Sequence, residues 1–234
     1  MTDPYQKLLD LSATPLVPHL STARILRGHP RVRAVATGEG ADGTELEGRR
    51  VAILATDGVE EIELTLVRKF FRDRGARVDL VAPDANYIAE DGNLTPPQRE
   101  THILTIRFID HGGWLPIDVH LRDADPEVYD AVVVPGGTWN PDTLRADEAV
   151  LAFLNAAHSH DKVVAAICHG PWVLVSAGLL EGRDATAWSS IRVDLENAGA
   201  TFHDEPVVVS GRIVTARTPL DIPQFCDAIT ELLG

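Results

Sequence analysis

The sequence predicts an α/β protein in which a mostly parallel sheet is covered by helices on both faces, preceded by an N-terminal extension. Short apolar runs such as "VAILAT" (51–56) alternate along the chain with amphipathic stretches of helical length. These runs are continuously apolar, which is typical of parallel strands buried on both faces. Residues 51–83 have the pattern of a strand–helix–strand unit, for which a right-handed crossover is expected.

The chain has 234 residues, which suits one domain with an appendage. Residues 1–48 are rich in proline and end in a stretch rich in glycine and acid. We predict that they form an extension of uncertain order, with helical turns at 5–11 and 23–28, that packs loosely on the body or on a partner subunit. Residues 49–234 are predicted to form the folded domain.

The elements of that domain follow from periodicity and from turn residues. Strands are predicted over 51–56, 77–83, 129–137 and 162–167, and helices over 60–75, 147–160, 171–182, 191–200 and 221–234. Segments 102–108 and 115–121 are predicted to form a hairpin or edge strands around "DHGGW" (110–114). Residues 206–216 are predicted to form a hairpin with Ser210 and Gly211 at its turn.

Composition excludes several classes of function. With 21 basic and 35 acidic residues the net charge is −14, which disfavours binding to nucleic acid or to anionic membranes. We find no apolar run long enough to cross a bilayer and no secretory signal, so we expect a cytoplasmic protein with free thiols. No glycine-rich nucleotide motif follows a strand, and the histidines near position 160 lack further metal ligands, so we expect no cofactor and no metal.

The stretch "AICHG" (166–170) has the layout of a strand–nucleophile–helix elbow with cysteine at its apex. Pro171 suits the first position of the following helix, whose dipole would favour a thiolate at Cys168. The structural alternative is that Cys168 is a small buried residue that ends a core strand. We favour a nucleophile here, and for Cys226, in an amphipathic helix, we favour the structural role.

Other strand ends are expected to supply partners, because ligands of such sheets bind beyond the carboxyl ends of strands. The backbone amides of His169 and of Gly136 or Gly137 are candidate oxyanion donors, although "PGG" also suits a plain turn. The His169 side chain is a base only if the turn geometry permits. Trp114 is a candidate contact for the substrate, with core packing as the alternative.

The stretch "DGVEEIE" (57–63) brings three acids, Glu60, Glu61 and Glu63, to the start of a helix. Acids are favoured there by the helix dipole alone. A carboxyl beside a thiolate would help only if it were protonated and donated a hydrogen bond. The residues by themselves leave open which of the three faces Cys168.

Four stretches together resemble the ThiJ/PfpI (DJ-one) family, its PfpI-like branch in particular: "DGVEEIEL", "YDAVVVPGGTWNPDTLRAD", "AICHGPWVLVSAGLLEGRDATAW" and "DLENAGATFHDEPVVVSGRIVTARTPLDIPQF". The resemblance covers residues 50–234 and implies a flavodoxin-like three-layer sandwich related to class I glutamine amidotransferase domains. It implies Cys168 as nucleophile, His169 as its partner and Glu63 as the protonated carboxyl, with oxyanion contacts from Gly136, Gly137 and the amide of His169.

The resemblance also implies a homo-oligomer, dimer or hexamer, in which an acid of a neighbouring subunit can orient the histidine. The chain departs from the family where PfpI-like peptidases often have tyrosine, since it has Trp188 in "TAWSSI". We retain Trp188 as a candidate substrate contact. The missing hydroxyl weakens the case for a peptidase.

Three hypotheses for function therefore stand. The first is a cysteine-dependent enzyme of stress protection, a glyoxalase or deglycase, in which Cys168 attacks a small carbonyl substrate or a modified protein. The second is an intracellular cysteine peptidase. The third is a non-catalytic chaperone, which would bind unfolded protein, or a thiol redox sensor.

Overall fold

A mostly parallel sheet lies at the centre of the computed structural model, which describes residues 22–84 and 100–234. In this part of the chain the sheet has seven strands in the order β11-β12-β8-β7-β1-β3-β6, and only the β11–β12 pair is antiparallel. These strands are β1 (Arg50–Leu54), β3 (Arg77–Ala82), β6 (Val119–His120), β7 (Ala131–Val134), β8 (Val163–Ile167), β11 (Val207–Ser210) and β12 (Ile213–Ala216).

Helices cover both faces of this sheet. They are α1 (Thr22–Gly28), α2 (Pro30–Thr37), α3 (Glu61–Asp73), α4 (Trp139–Leu144), α5 (Glu148–Ser159), α6 (Pro171–Ser176), α7 (Arg192–Asn197) and α8 (Ile222–Leu233). Two smaller sheets complete the described strands. One has three strands, β2 (Val59–Glu60), β4 (His102–Arg107) and β5 (Asp110–Pro116), and the other has two, β9 (Asp184–Ala185) and β10 (Thr201–Phe202).

The core is divided in two by the sheet, as the alternation along β1 shows. Val51 and Ile53 pack with α3 and α8 on one face, whereas Ala52 and Leu54 pack with α5 and α6 on the other. Successive side chains of a strand point to opposite faces, so a strand between two helical layers has to be apolar throughout. The predicted three-layer α/β sandwich is confirmed.

The prediction of a hairpin or edge strands over 102–108 and 115–121 is confirmed for β4 and for an edge strand at 119–120, but it is wrong in leaving "DHGGW" outside the strands. Residues 110–116 pair with β4, so "DHGGW" is part of a strand, and 119–120 join the edge of the main sheet. This strand, β5, has two glycines, and its side chains are exposed or half-buried, so it has no apolar alternation that would predict it. Its stability comes from backbone pairing with β4. The predicted helix of 171–182 ends at Ser176, and α2 and α4 were not predicted.

The N-terminal extension packs into the core where the structure describes it. Val32 and Leu46 are only 1% and 2% exposed and belong to the cluster on the α3–α8 face. The predicted turn at 23–28 lies in α1, and the one at 5–11 falls outside the described residues. None of the helices within 22–84 and 100–234 combines the length and the apolar character that crossing a bilayer requires.

Candidate functional site

Cys168 stands at the sharp corner between β8 and α6. Its φ angle is +61°, in the left-handed region that residues with a side chain rarely adopt. Such backbone conformations cost about 1–3 kcal/mol and persist where the surrounding structure imposes them. Here the Cys168 amide donates to the Ala216 carbonyl at 2.9 Å, and the Cys168 carbonyl accepts from the Trp188 amide at 2.8 Å. The corner therefore presents the thiol at the carboxyl edge of the sheet.

Gly136 allows the neighbouring strand end to approach this corner closely. A Cβ atom at position 136 would lie 2.7 Å from Cys168 Cβ, 2.8 Å from Glu63 Oε2 and 2.9 Å from the His169 amide nitrogen. These distances are shorter than real side chains tolerate, so only glycine fits there. They also show that the thiol, the carboxyl and the His169 amide converge on one point.

Glu63 places a protonated carboxyl beside the thiol. Its side chain is fully buried in the first turn of α3, and its Oε2 accepts a hydrogen bond from the Gly136 amide at 2.6 Å. Burial, with a smaller contribution from the charge of Glu60, raises the pKa of Glu63 to about 8. At neutral pH this carboxyl is mostly protonated, and it lies within hydrogen-bonding reach of the Cys168 thiol.

The thiol of Cys168 is protonated in the resting site. Burial raises its pKa well above the ordinary value, and the adjacent Glu63 carboxyl raises it further, while the His169 backbone amide acts in the opposite direction. Burial therefore outweighs the stabilisation of a thiolate that was expected from the dipole of α6, a helix of only six residues. The sulfur needs a base to remove its proton.

His169 is in position to be that base. Its Nδ1 lies 3.3 Å from Cys168 Sγ, although the two residues are adjacent in the chain. The imidazole stacks on Trp188 with centroids 5.8 Å apart and meets the edge of Trp172 at 5.7 Å. Its Nε2 lies 3.4 Å from Ser190 Oγ. Burial lowers the pKa of His169, so the ring is neutral at pH 7 and can accept a proton.

The three acids of "DGVEEIE" have three different environments. Glu63 faces the thiol, and Glu60 lines the same cavity, where burial raises its pKa to about 7. Glu61 points away, because it accepts hydrogen bonds from Arg107, Thr105 and the Gly113 amide. Despite partial burial, those bonds lower the pKa of Glu61.

A cavity of about 310 Å³ opens in front of Cys168. It is lined by Glu60, Glu63, Ile106, Phe108, Ile109, Gly137, Thr138, Cys168, His169, Trp188 and Pro219. Among the residues proposed from sequence, Glu63, Gly137, Cys168, His169 and Trp188 thus share one space. Glu60, one of the three candidate acids, lines the same cavity, and the structure adds the Phe108–Ile109 tip of the β4–β5 hairpin and Pro219, which no local pattern distinguished.

Two of the proposed contacts need correction. Trp114 lies in β5, is 44% exposed and is not among the residues that line the cavity, because its segment pairs with β4 instead of crossing the site. The Gly136 amide donates its hydrogen bond to Glu63, so it is not free to bind an oxyanion. The remaining candidate oxyanion donors are the amides of Gly137 and His169.

The chemistry of this arrangement is that of a nucleophilic thiol with acid and base partners. A carbonyl group in the cavity would meet the sulfur, a proton donor (Glu63) and a proton acceptor (His169). Metal chemistry finds no support in residues 22–84 and 100–234, since no three His, Cys, Asp or Glu side chains there could hold an ion.

Known proteins are similar to this chain in sequence and in fold. The sequence model of the DJ-1/PfpI family matches residues 49–232. The Bacillus subtilis (strain 168) protein named "Putative cysteine protease YraA" is 41% identical over 177 residues, 76% of this chain and 94% of the relative. General stress protein 18 of the same strain is 37% identical over 179 residues, 76% and 94% of the two chains.

A third relative carries a different functional name. Protein/nucleic acid deglycase 2 of Escherichia coli (strain K12) is 35% identical over 187 residues, 80% of this chain and 98% of the relative. In three dimensions the crystal structure of Drosophila melanogaster DJ-1beta superimposes with a TM-score of 0.66 at 24% identity, covering 79% of this chain and 90% of that one. That likeness shows the fold alone.

Proposed function

The chain belongs to the DJ-1/PfpI family, and from this premise we propose that it is a cysteine-dependent enzyme of carbonyl stress protection. Its substrate would be a small 2-oxoaldehyde, or the adduct that such a compound forms on a protein. The observation that carries the proposal is the position of the Cys168 thiol at the β8–α6 corner. His169 Nδ1 lies 3.3 Å from its sulfur, and the protonated Glu63 carboxyl lies beside it.

The first step of this reaction forms a hemithioacetal. The thiol proton moves to His169 Nδ1, and Sγ forms a bond to the aldehyde carbon. The carbonyl oxygen becomes an oxyanion, which the amides of His169 and Gly137 would stabilise. It then takes the proton of Glu63, which leaves an ionised carboxylate next to the adduct.

The second step moves a hydrogen between two carbons of the substrate. Ionised Glu63 removes the proton on the former aldehyde carbon and returns it to the neighbouring carbon through an enediol, while His169 moves protons between the two oxygens. The ketone carbon is reduced to an alcohol and the aldehyde carbon is oxidised to a thioester, so no external oxidant is needed. Water then cleaves the carbon–sulfur bond: its hydroxyl goes to the acyl carbon and its proton to the sulfur, which releases a 2-hydroxy acid. Protonated His169 returns its proton to Glu63, which restores the resting site.

Turnover of methylglyoxal tests this proposal. We expect lactate to form with the wild-type protein and not with Cys168→Ala. Cys226→Ala is the matched control, because Cys226 is buried in α8 away from the cavity. Wild-type lactate formation no faster than that of Cys168→Ala would overturn the proposal.

A peptidase is the second candidate, supported by the short contact between Cys168 Sγ and His169 Nδ1 and by the name of the YraA relative. Hydrolysis of peptide substrates by the wild type and not by Cys168→Ala, without lactate formation, would favour the peptidase.

A further inference from the structure

An apolar groove of about 470 Å³ adjoins the Cys168 cavity, lined by Ile25, Gly28, His29, Phe108, Trp188, Thr218, Pro219 and Leu220. We propose that this groove binds the apolar group of the substrate, so that the enzyme acts on 2-oxoaldehydes carrying an aryl or long alkyl group in preference to methylglyoxal. The proposal rests on the proposed function, because it takes Cys168 as the anchor of the carbonyl end.

The groove and the cavity are adjacent spaces that share part of their walls. Phe108, Trp188 and Pro219 line both of them. Trp188 connects them most directly, since its ring stacks on His169 and its amide donates to the Cys168 carbonyl. The proposal requires a substituent on a carbonyl bound at Cys168 to pass the Trp188 ring in order to reach the groove.

The two spaces differ in chemistry. The cavity holds two acids, the thiol and the imidazole, whereas the groove is lined mainly by apolar side chains. One of its polar members, Thr218, already uses its hydroxyl, which donates to Asp221 and accepts from the Leu220 amide, both at 3.2 Å. A molecule with a reactive carbonyl at one end and an apolar group at the other matches this division.

The size of the two spaces supports the same substrate class. The cavity in front of Cys168 has about 310 Å³, at the lower end of the range for small-molecule sites, and the groove is larger. A methyl group would leave the groove unused. A phenyl ring or an alkyl chain would bury apolar surface there and gain the corresponding binding free energy.

The walls of the groove are held in place before any substrate binds. The Phe108 amide donates to Glu60 Oε2 at 2.9 Å, which fixes a residue with a φ angle of +60°. Pro219 is buried in a short 3₁₀ turn, Pro219–Asp221, that Thr218 caps. Preformed walls lower the entropic cost of binding, which favours a small ligand.

Substrate selectivity tests the proposal directly, with kcat/KM for phenylglyoxal and for methylglyoxal as the measured pair. We expect the wild type to prefer phenylglyoxal, and Leu220→Gln to lower the phenylglyoxal-to-methylglyoxal ratio by about tenfold, the size of one lost apolar contact. Val193→Gln is the matched control, because Val193 is an exposed apolar residue that does not line the groove. An unchanged ratio in Leu220→Gln would overturn the proposal.

A binding experiment separates failure of this proposal from failure of the enzymatic one. Acetophenone, which carries the phenyl group without the aldehyde, is titrated into Cys168→Ala and followed by tryptophan fluorescence. If the wild type turns over neither oxoaldehyde but acetophenone binds more tightly than acetone, and Leu220→Gln weakens this binding, the groove stands as an apolar ligand site. Equal binding of both ketones would overturn it.

The competing occupant of the groove is a second copy of the chain. Sedimentation velocity of the wild type and of Leu220→Gln shows whether the substitution changes the oligomeric state. If the substitution dissociates an oligomer and leaves the selectivity ratio unchanged, the groove is a subunit interface and the proposal is wrong. An unchanged sedimentation coefficient with a lowered ratio supports the substrate site.

Discussion

Glu60 and Phe108 join two parts of the site that are 48 positions apart in the chain: the carboxyl Oε2 accepts a hydrogen bond from the Phe108 amide at 2.9 Å. Glu60 thereby holds the tip of the β4–β5 hairpin over the cavity of Cys168. Its charge also acts on Glu63, whose pKa is raised first by burial and then by Glu60. One carboxyl thus influences both the shape and the protonation of the site.

Glu60→Gln is expected to shift the pH dependence of activity. Glutamine keeps an acceptor for the Phe108 amide but removes the charge, so the pKa of Glu63 falls. Activity requires protonated Glu63 and declines as pH rises through the pKa of that group, about 8 in the wild type. The alkaline limb of the kcat/KM profile should therefore move to lower pH. The shift should be smaller than the rise in the Glu63 pKa that burial causes, because burial is the larger of the two effects. A limb at the wild-type position would contradict the coupling.

Glu63→Gln is expected to lower activity by about 10²–10⁴-fold, the usual contribution of a positioned acid–base group. The amide can still accept from the Gly136 backbone N–H, so the local structure is retained. The glutamine amide cannot give a proton to the substrate oxygen or remove one from the substrate carbon, so it cannot act as acid or base. Measured kcat/KM near that of the wild type would remove Glu63 from the proposed reaction.

The same substitution should change the pH dependence of stability. The Glu63 carboxyl titrates near 4.5 in the unfolded chain, and burial raises its pKa to about 8 in the folded protein. Between these values the folded state binds the additional proton, so the free energy of unfolding falls as pH rises, by up to about 1.4 kcal/mol per pH unit. Urea denaturation from pH 5 to 8 should show a shallower decline in Glu63→Gln.

Glu61→Gln is the control for that measurement. Hydrogen bonds from Arg107, Gly113 and Thr105 lower the pKa of Glu61 against the opposing effect of burial. Its contribution to stability is present above the unfolded pKa and is lost as pH falls, so this substitution should lower stability at neutral pH without flattening the decline. A decline equally steep in the wild type and in Glu63→Gln would show that Glu63 is ionised in the folded protein.

Gly136→Ala is expected to impair both folding and activity. The new Cβ would lie 2.7 Å from Cys168 Cβ and 2.9 Å from the His169 amide, and such overpacking typically costs about 1–3 kcal/mol. Urea denaturation and kcat/KM measure the two effects. Gly43→Ala is the matched control, because nothing lies within 4 Å of a Cβ built there. Equal stability of the two variants would contradict the close approach at Gly136.

Iodoacetamide should alkylate Cys168 and spare Cys226 in the folded protein. Cys168 opens to the cavity and has His169 to accept its proton, whereas Cys226 is 0% exposed inside α8. Mass spectrometry of tryptic peptides measures both sites, and urea should make them react alike. Alkylation of Cys226 at the rate of Cys168 without urea would show that the cavity gives Cys168 no advantage.

Much of the fold was evident from local patterns. Continuous apolar runs located β1, β3, β7 and β8, because a strand between two helical layers has no solvent-facing side. Where stability came from pairing with a neighbour, local patterns failed, as in β5, whose residues are exposed or half-buried. The short helix α4 was missed for a similar reason, since its buried residues Asn140, Pro141 and Leu144 do not form an apolar run.

The sequence by itself determined that a cysteine lies at a strand–helix corner and that acids begin a nearby helix, because turn residues and apolar periodicity act over a few positions. Local patterns left open which acid meets the thiol, and the family resemblance implied Glu63. Only the tertiary structure decided that the Gly136 amide donates to Glu63 and that burial raises the pKa of both Glu63 and Cys168. Those outcomes depend on how the ends of β7, β8 and β12, the start of α3 and the β4–β5 hairpin meet at one point. Distances and desolvation of that kind are set by residues far apart in the chain.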